Sequence, residues 1–248
     1  MSNIFITGST KGIGLGLAEY LLKEKNNVFL NSRNIDDLKI QKERFVKNYG
    51  GNINYLDGDV TDINDCKKIL HNFKKNRINL DVLIANVGNG SSDLNKKFEL
   101  DEWLKIFNIN FFSSLNIILT LLPIMKSNSS IICVSSICGL KKILGAPASY
   151  SVAKASINYF VKSIADDLYE YKKIRINAIA LGNMLFEGSV WDQKLKNNKK
   201  NTINYIKKNV IMNQFGSIDD VCESVRYLIN SKFITGSINV LDGGQIAK

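Results

Sequence analysis

The chain has 248 residues, 45% of them hydrophobic, and a net charge of +10 at neutral pH, from 33 Lys+Arg against 23 Asp+Glu. These values suit one globular α/β domain, and no purely apolar run reaches the ~18 residues that a membrane span needs. The four cysteines form no Cys-x-x-Cys pair and have no histidine at ligand spacing, which excludes the usual structural metal and disulfide patterns.

The expected location and partners follow from the first residues and from the charge. Met1-Ser2-Asn3 lacks the basic and then apolar pattern of a signal peptide, and free cysteines suit a reducing compartment, so we expect a cytoplasmic protein. The positive charge favours anionic partners, namely NADPH and an anionic substrate such as a phosphorylated or nucleotide-linked sugar, or a substrate linked to an acidic carrier protein. No concentrated basic segment is interleaved with aromatics, so we expect no nucleic-acid partner, and we expect no membrane partner either.

Apolar segments of strand length and of helix length alternate along the chain. We predict strands at 3–7, 27–31, 52–57, 81–86, 130–135, 174–180 and 237–241, and helices filling most of 12–25, 34–48, 62–76, 100–125, 148–172 and 217–231. This alternation predicts an α/β, doubly wound, Rossmann-like fold with about seven parallel strands and helices on both faces. No linker or internal repeat divides the chain, so one domain over 1–248 is expected.

A glycine-rich loop joins the first predicted strand to the first predicted helix. In this context Gly8 permits a tight turn, while Gly12 and Gly14 let the backbone approach a pyrophosphate at the helix N-terminus. The alternative is a tight turn with a purely structural role. We predict a dinucleotide site formed by Gly8, Ser9, Thr10, Lys11, Gly12, Ile13 and Gly14.

The end of the second strand carries information on the cofactor. An acidic residue there would bind the ribose 2′-hydroxyl of NAD, but the chain has Asn31, Ser32 and Arg33. Arg33 can clamp a 2′-phosphate and Lys11 can add a second positive charge. NADP(H) is therefore favoured over NAD(H). The alternative is that both are ordinary surface cations of a lysine-rich chain.

Tyr150 and Lys154 are four residues apart at the head of a predicted helix, which places them on one face. An ammonium beside a phenol is expected to lower the tyrosine pKa, and such a phenol can exchange a proton with a carbonyl or alcohol oxygen. Tyr and Lys at this spacing also occur by chance on exposed helices. The pair gains its significance from the glycine loop in the same chain.

The Gly-x-x-x-Gly-x-Gly loop together with Tyr150 and Lys154 resembles the short-chain dehydrogenase/reductase family, and the resemblance covers nearly the whole chain. Further matching segments are Asp59-Val60, Asn86-Val87-Gly88, Asn110, Ser135-Ser136-Ile137-Cys138-Gly139, Arg175-Ile176-Asn177-Ala178-Ile179-Ala180, Thr235-Gly236 and Asp242-Gly243-Gly244. The resemblance implies hydride transfer between a nicotinamide and a carbonyl or secondary alcohol. It implies the cofactor contacts Arg33, Asp59, Val60, Asn86, Gly88, Tyr150, Lys154 and Gly182.

The resemblance also implies roles for four catalytic residues. Tyr150 is the general acid and base, and Lys154 lowers its pKa and holds the nicotinamide ribose. Ser136 bonds the carbonyl oxygen, with Ser135 as the rival for that role, and Asn110 anchors a water of a proton relay. Ser136 and Tyr150 are 14 residues apart, one more than the common spacing, which indicates a rearranged loop at 140–149.

Three positions depart from the family pattern. Leu181 replaces the usual proline before Gly182, Val87 replaces an alanine, and the threonine that contacts the nicotinamide carboxamide has no clear counterpart in 183–186. In the family, an insertion corresponding to about 183–216 covers the substrate. We expect its apolar residues to face the pocket and its lysines to face outward; the apolar ones are Phe186, Trp191, Met212 and Phe215.

The substrate is open between two alternatives. The general resemblance is to a 3-oxoacyl-carrier-protein reductase. The segment at 182–196 instead resembles a subgroup of sugar dehydrogenases, for amino sugars or nucleotide sugars, of surface polysaccharide and nonulosonic acid biosynthesis. A remote alternative is a dinucleotide-binding sensor without turnover, which the presence of all four catalytic residues disfavours. The resemblance further implies a homo-oligomer, a tetramer or a dimer, paired through the central helices and the last strand.

Overall fold

The computed structural model describes residues 1–50 and 53–248. In these residues, seven parallel strands form one sheet in the order β3-β2-β1-β4-β5-β6-β7. The strands are β1 (Asn3–Ile6), β2 (Asn27–Ser32), β3 (Ile53–Asp57), β4 (Leu80–Ala85), β5 (Met125–Ser136), β6 (Arg175–Leu181) and β7 (Ile238–Leu241). The predicted Rossmann-like fold is confirmed. Asn52, at the start of the predicted strand 52–57, lies outside the described residues.

The helices of the described residues cover both faces of the sheet. They are α1 (Gly12–Lys23), α2 (Ile35–Tyr49), α3 (Ile63–Lys75), α4 (Leu100–Phe107), α5 (Ser113–Leu121), α6 (Ala148–Ser163), α7 (Ala165–Lys172), α8 (Val190–Asn209) and α9 (Ile218–Asn230). Helices α1, α2 and α9 pack on one face, and α3, α5 and α6 pack on the other. The face below α3 is centred on Phe73, whose ring meets Phe5 and Phe29 edge-on at 5.4 and 5.2 Å between centroids.

Polar residues in the sequence fix where two of the helices begin. The Asn34 side chain accepts hydrogen bonds from the N–H groups of Asp36 (2.9 Å) and Asp37 (3.4 Å) at the start of α2. Ser217 and Asp220 form a reciprocal capping box at the start of α9. Caps of this kind contribute about 1 kcal/mol each. The α2 cap places both aspartates in the first helical turn.

Two of the predicted helices are interrupted. The stretch predicted as one helix at 100–125 consists of α4, a π-helical turn at Asn108–Phe112, and α5, and a short 3₁₀ turn containing Pro123 leads into β5. The predicted helix 148–172 divides into α6 and α7 at Ile164. The Ser163 hydroxyl donates to the Tyr159 carbonyl at 2.9 Å, a bond that bends helices. Neither interruption changes the helical spacing of the apolar residues around it, so the sequence pattern does not reveal it.

The stretch Leu100–Ile124 is long and apolar enough to cross a membrane by length and composition, with a mean hydropathy of 1.5. Most of its apolar residues fall in 111–125, which Asn116, Thr120 and Pro123 interrupt and which the sequence therefore predicts to be a buried core helix. Ile117, Ile118 and Leu121 of this stretch are fully buried against the sheet, as in a core helix. Its other side leaves apolar side chains exposed, among them Leu104 at 55%.

The strand order fixes the position of a crevice. The chain proceeds outward from β1 to β2 and β3, then returns to β4 on the other side of β1. Ligands of open α/β sheets bind at such a switch point, beyond the carboxyl ends of the strands. The loops that follow β1, β4, β5 and β6 all open onto this crevice.

Candidate active site

The glycine loop after β1 forms a cradle that excludes side chains. Gly8 and Gly12 have positive φ values of +61° and +57°, which only glycine adopts without strain. A Cβ atom on Gly14 would overlap the Gly8 carbonyl oxygen and lie 3.0 Å from the Ser9 Cα. Lys11, the residue before α1, is exposed, and its side chain makes no capping hydrogen bond to the first N–H groups of the helix. The loop therefore fits the pyrophosphate of a dinucleotide.

Two asparagines hold this loop from behind. The Asn86 amide after β4 donates to the carbonyls of Thr7 (3.0 Å) and Gly8 (3.1 Å). Asn31 at the end of β2 donates to the Leu56 carbonyl at 3.1 Å and accepts from the Gly8 N–H at 3.4 Å. Both amides are thus used within the protein. Asn86, predicted as a cofactor contact, orients the loop that would make the contact.

The adenosine end of the crevice presents an arginine paired with an aspartate. Arg33 Nη1 lies 3.4 Å from Asp59 Oδ2, and the Arg33 side chain is 77% exposed. The Asp59 carboxylate also accepts from the Thr61 N–H at 2.9 Å, which fixes the turn after β3. The Val60 side chain is buried in the core and not at the crevice surface. Asp59 and Val60 were both predicted as cofactor contacts, but only the Asp59 side chain is exposed at the surface.

The proposed proton-transfer groups meet at the ends of β5 and α6. Ser136 ends β5, and its hydroxyl lies close enough to the half-buried phenol of Tyr150 to lower the pKa of that phenol. The same hydroxyl donates to the Leu181 carbonyl at 3.4 Å. Lys154, one turn after Tyr150, is buried and donates from Nζ to the Val134 carbonyl at 2.9 Å. Its Nζ lies 6.0 Å from the centroid of the tyrosine ring.

The pKa values of this pair differ from the expectation. Burial raises the pKa of Tyr150 to about 12, although the neighbouring Ser136 hydroxyl acts in the opposite direction. Burial also lowers the pKa of Lys154 to about 8. The expected lowering of the Tyr150 pKa by Lys154 is therefore wrong for this structure. The cause is desolvation, which penalises the charged form of both groups.

The two serines of the β5 motif face different ways. The Ser135 hydroxyl donates to Asn158 Oδ1 at 2.7 Å and to the Lys154 carbonyl at 3.3 Å, so it fastens α6 to the sheet. Ser136 faces the crevice and Tyr150 instead. Alternate residues of a strand point to opposite faces, which explains why only one of the two can enter the site.

Asn110 lies in the π-helical turn and is fully buried. Its amide donates to the carbonyls of Asn89 and Ile106, both at 3.0 Å, and its oxygen accepts from the Asn89 N–H at 2.9 Å. A Cβ atom on Gly88 would lie 3.0 Å from Lys154 Nζ and 3.1 Å from Asn110 Oδ1. Gly88 therefore provides the space that brings the loop after β4, Asn110 and Lys154 together.

The residues after β6 depart from the pattern in a visible way. The Phe186 ring packs on Gly12, so that a Cβ there would lie 3.0 Å from the ring. An aromatic ring thus meets the glycine loop in the segment where the family has a threonine hydroxyl.

Val87 packs against Gly8, with its Cγ2 at 3.0 Å from a Cβ built there. Gly182 allows the backbone at Asp242 to approach closely, since a Cβ on it would lie 2.7 Å from the Asp242 Cα.

The segment at 183–216 forms α8, which bends at Asn198 (φ −153°, ψ 80°), and a β-bridge between Met184 and Gly216 closes it. Trp191 and Phe215 are half-buried, with ring centroids 5.6 Å apart, and the lysines of α8 are exposed. Met212 does not follow the expectation, because it is 61% exposed at the tip after α8.

A polar cluster beneath α8 is the part of the site that sequence patterns do not predict. Asn183 and Gln245 are both buried and hydrogen-bonded to each other at 2.7 Å, and Gln245 also reaches Tyr205 at 3.3 Å. The Cys138 N–H donates to the Ser136 hydroxyl oxygen at 3.2 Å. Asn183 and Gln245 are 62 positions apart in sequence, and no local pattern predicts such a contact. Within the described residues, no group of three His, Cys, Asp or Glu side chains could hold a metal ion.

A family model described as short chain dehydrogenase matches residues 2–198. The chain belongs to this family. Glucose 1-dehydrogenase 2 of Bacillus subtilis (strain 168) is 28% identical over 248 residues, covering 97% of this chain and 93% of the relative. The 3-oxoacyl-[acyl-carrier-protein] reductase of Chlamydia trachomatis is 27% identical over 246 residues, covering 97% and 95%.

Solved structures agree on the fold. L-sorbose reductase from Gluconobacter frateurii, in complex with NADPH and L-sorbose, has a TM-score of 0.88 at 22% identity and covers 100% of this chain and 97% of its own. The protein is thus an oxidoreductase of the short-chain dehydrogenase/reductase family.

Proposed function

We propose that the protein reduces a carbonyl compound with NADPH, or oxidises the corresponding secondary alcohol, and that Tyr150 is its general acid and base. The observation that carries the proposal is the meeting of Ser136, Tyr150 and Lys154 beside the glycine cradle, at the carboxyl ends of the strands. A nicotinamide held there supplies or accepts the hydride. The chain's own side chains manage the proton.

The proposed proton path uses the contacts of Tyr150. In the reductive direction the phenol donates its proton to the carbonyl oxygen, which Ser136 positions by a hydrogen bond. A phenol with a pKa of about 12 remains protonated at neutral pH and is ready to donate. Lys154, close to Asn110 across Gly88, is placed to return a proton from the interior. Its own pKa of about 8 suits that exchange.

The cofactor proposal is NADP(H) over NAD(H). Arg33 is exposed at the end of β2, and Ser32 stands where an acidic residue would bind a ribose hydroxyl. Lys11 adds an exposed cation at the glycine loop. Asp36 and Asp37 lie in the first turn of α2, where their N–H groups donate to the Asn34 cap and the Asp36 carboxylate pairs with Lys39. We therefore assign neither carboxylate to the ribose site.

Substitution of Tyr150 by phenylalanine tests the mechanism. General acid catalysis contributes about 10²- to 10⁴-fold, so Tyr150→Phe should lower kcat by that amount. Its affinity for NADPH, followed by cofactor fluorescence, should remain within about threefold, a free-energy change below about 1 kcal/mol. Tyr171→Phe, which removes a hydroxyl from an exposed tyrosine of α7, is the matched control. Turnover retained by Tyr150→Phe would refute the assignment.

Two substrate classes compete, since the two relatives named above are nearly equally similar to the chain and act, by name, on glucose and on 3-oxoacyl-carrier protein. Acetoacetyl thioesters and amino-sugar or nucleotide-sugar substrates should be assayed side by side with NADPH. Consumption of NADPH with either class contradicts the remaining alternative, a dinucleotide sensor without turnover.

We also propose one domain over 1–248, with 183–216 covering the substrate, in a cytoplasmic homo-oligomer, either a tetramer or a dimer. Support for association comes from apolar side chains exposed along the central helices and on the last strand. These are Leu104, Phe112, Leu119, Val152 and Val240. Light scattering coupled to gel filtration tests the proposal, and a monomer at micromolar concentration would refute it.

A further inference from the structure

A chain of three polar side chains lies beneath α8, and the proton path proposed above makes no use of it. Asn183 Nδ2 donates to Gln245 Oε1 at 2.7 Å, and Gln245 Nε2 donates to the Tyr205 hydroxyl oxygen at 3.3 Å. Asn183 is 9% exposed and Gln245 is 6% exposed. Buried amides require partners, so the two amides fix each other's position.

The hydrogen bonds of this chain run in one direction. Gln245 accepts through its carbonyl and donates through its amide, so the Tyr205 oxygen is an acceptor. A phenol has one proton, and here that proton points away from Gln245. Tyr205 is half-buried, and desolvation raises its pKa, so it remains a neutral donor. A ligand in contact with it must offer an oxygen that accepts a hydrogen bond.

The chain of side chains begins next to the reacting groups. Asn183 lies two residues after Leu181, whose carbonyl accepts from Ser136 at 3.4 Å. Cys138 follows Ser136 and donates from its N–H to that serine oxygen at 3.2 Å.

Two further contacts hold Tyr205 rigidly. Its ring packs on Trp191, with centroids 5.3 Å apart and 30° between the planes. The segment carrying Gln245 is fastened by Lys141, whose Nζ donates to the Ile246 carbonyl at 3.3 Å. A donor held in place in this way loses little freedom when it binds a ligand.

We propose that Tyr205, oriented by Gln245, determines specificity for polyhydroxylated carbonyl substrates, whose hydroxyl oxygen accepts the phenol proton while the carbonyl lies at Ser136 and Tyr150. Gln245 is a positioning residue, and Tyr205 is the group that contacts the substrate. This inference rests on the proposed function and names the substrate class for the same site. An alkyl ketone has no hydroxyl oxygen to accept this proton, so it leaves the half-buried Tyr205 donor unpaired and is disfavoured as a substrate.

The test compares substrates that differ only in hydroxyl groups. L-sorbose and 2-hexanone share a six-carbon chain and a carbonyl at the second carbon, and further ketoses and 2-alkanones of equal length extend the panel. Selectivity is kcat/KM for the ketose divided by kcat/KM for the alkanone, measured by NADPH consumption. Loss of one hydrogen bond to a buried donor predicts a selectivity about tenfold lower in Tyr205→Phe.

Controls separate selection from folding. Tyr171→Phe, on the exposed face of α7, should leave selectivity unchanged. Gln245→Met preserves length and should lower selectivity in the same direction, with a melting temperature a few degrees lower because the buried Asn183 amide loses its acceptor. A purely structural role for Tyr205 would lower kcat/KM equally for both members of each pair.

The outcomes are distinct. Selectivity that falls in Tyr205→Phe but not in Tyr171→Phe supports the inference. Equal losses for ketose and alkanone, or a wild type that turns over only alkanones or acetoacetyl thioesters, overturn the inference and leave the proposed function standing. If the wild type consumes NADPH with none of the carbonyl compounds tested, both this inference and the proposed function are overturned.

Discussion

Replacing Arg33 with alanine tests the cofactor preference most directly. Arg33 is exposed and is paired with Asp59 at 3.4 Å, in a surface ion pair worth about 0–1 kcal/mol. A guanidinium bound to a phosphate forms charge-assisted hydrogen bonds worth about 1.5–3 kcal/mol. A 2′-phosphate therefore wins the competition with Asp59 by about 1–2 kcal/mol.

That difference corresponds to an affinity for NADPH about 5- to 30-fold weaker in Arg33→Ala, since about 1.4 kcal/mol is a factor of ten. NADH has no 2′-phosphate, so its affinity should change by less than about threefold, which is under 1 kcal/mol. The loss for NADPH should shrink at high salt, because the interaction is exposed and screened.

The assay is titration of each dinucleotide by fluorescence at two ionic strengths. Arg226→Ala is the matched control, since it removes an exposed arginine that pairs with Glu223 within α9, a helix of the opposite end of the chain. Equal losses for NADPH and NADH in Arg33→Ala would refute the reasoning. The preference would then have to come from Lys11 or from groups after β3.

Three more predictions concern packing and burial. Gly14→Ala should weaken NADPH binding more than tenfold in a fluorescence titration, because its methyl group would overlap the Gly8 carbonyl; unchanged affinity would exclude the cradle as the phosphate site. Gly16→Ala should lower the free energy of unfolding in urea by about 1–3 kcal/mol, because its methyl group would overlap Ile218, and Ile218→Ala in the same chain should restore part of the loss. Burial lowers the pKa of Lys154 from 10.5 to about 8, so the folded chain binds fewer protons than the unfolded chain between those values. The free energy of unfolding of the wild type, relative to that of Lys154→Met, should therefore rise with pH across that window by up to about 3 kcal/mol. If urea titrations show that the difference between the two proteins does not change with pH, the ammonium is solvated.

Much of the fold was predictable because its signals are local. A strand buried on both faces is a short apolar run, and a loop with positive φ needs glycine, so β1, the cradle and α1 follow from adjacent residues. The break at Asn108–Phe112 left no such signal, since the apolar residues on either side keep helical spacing. It depends on contacts such as that between Asn110 and Asn89, which lie 21 positions apart.

The chemistry of the site was less predictable than its residues. The spacing of Tyr150 and Lys154 indicated their shared face, but the direction of the Tyr150 pKa depends on burial, which a spacing does not reveal. The contact between Asn183 and Gln245 joins the end of β6 to the last residues of the chain. Only the folded arrangement brings these amides together.

Two of the three departures from the family pattern, at Leu181 and in 183–186, lie at and after the end of β6, on the substrate side of the crevice. The cradle side is constrained by backbone geometry, because a side chain on Gly14 would occupy the position of another backbone atom. The substrate side is constrained only by packing between side chains, as where Phe186 meets Gly12 and Trp191 meets Tyr205. Side chains of similar total volume can replace one another in a packed contact, whereas no side chain can occupy a position already taken by a backbone atom. Differences in substrate should therefore map to the residues after β6 and in α8, while the cofactor loop retains its form.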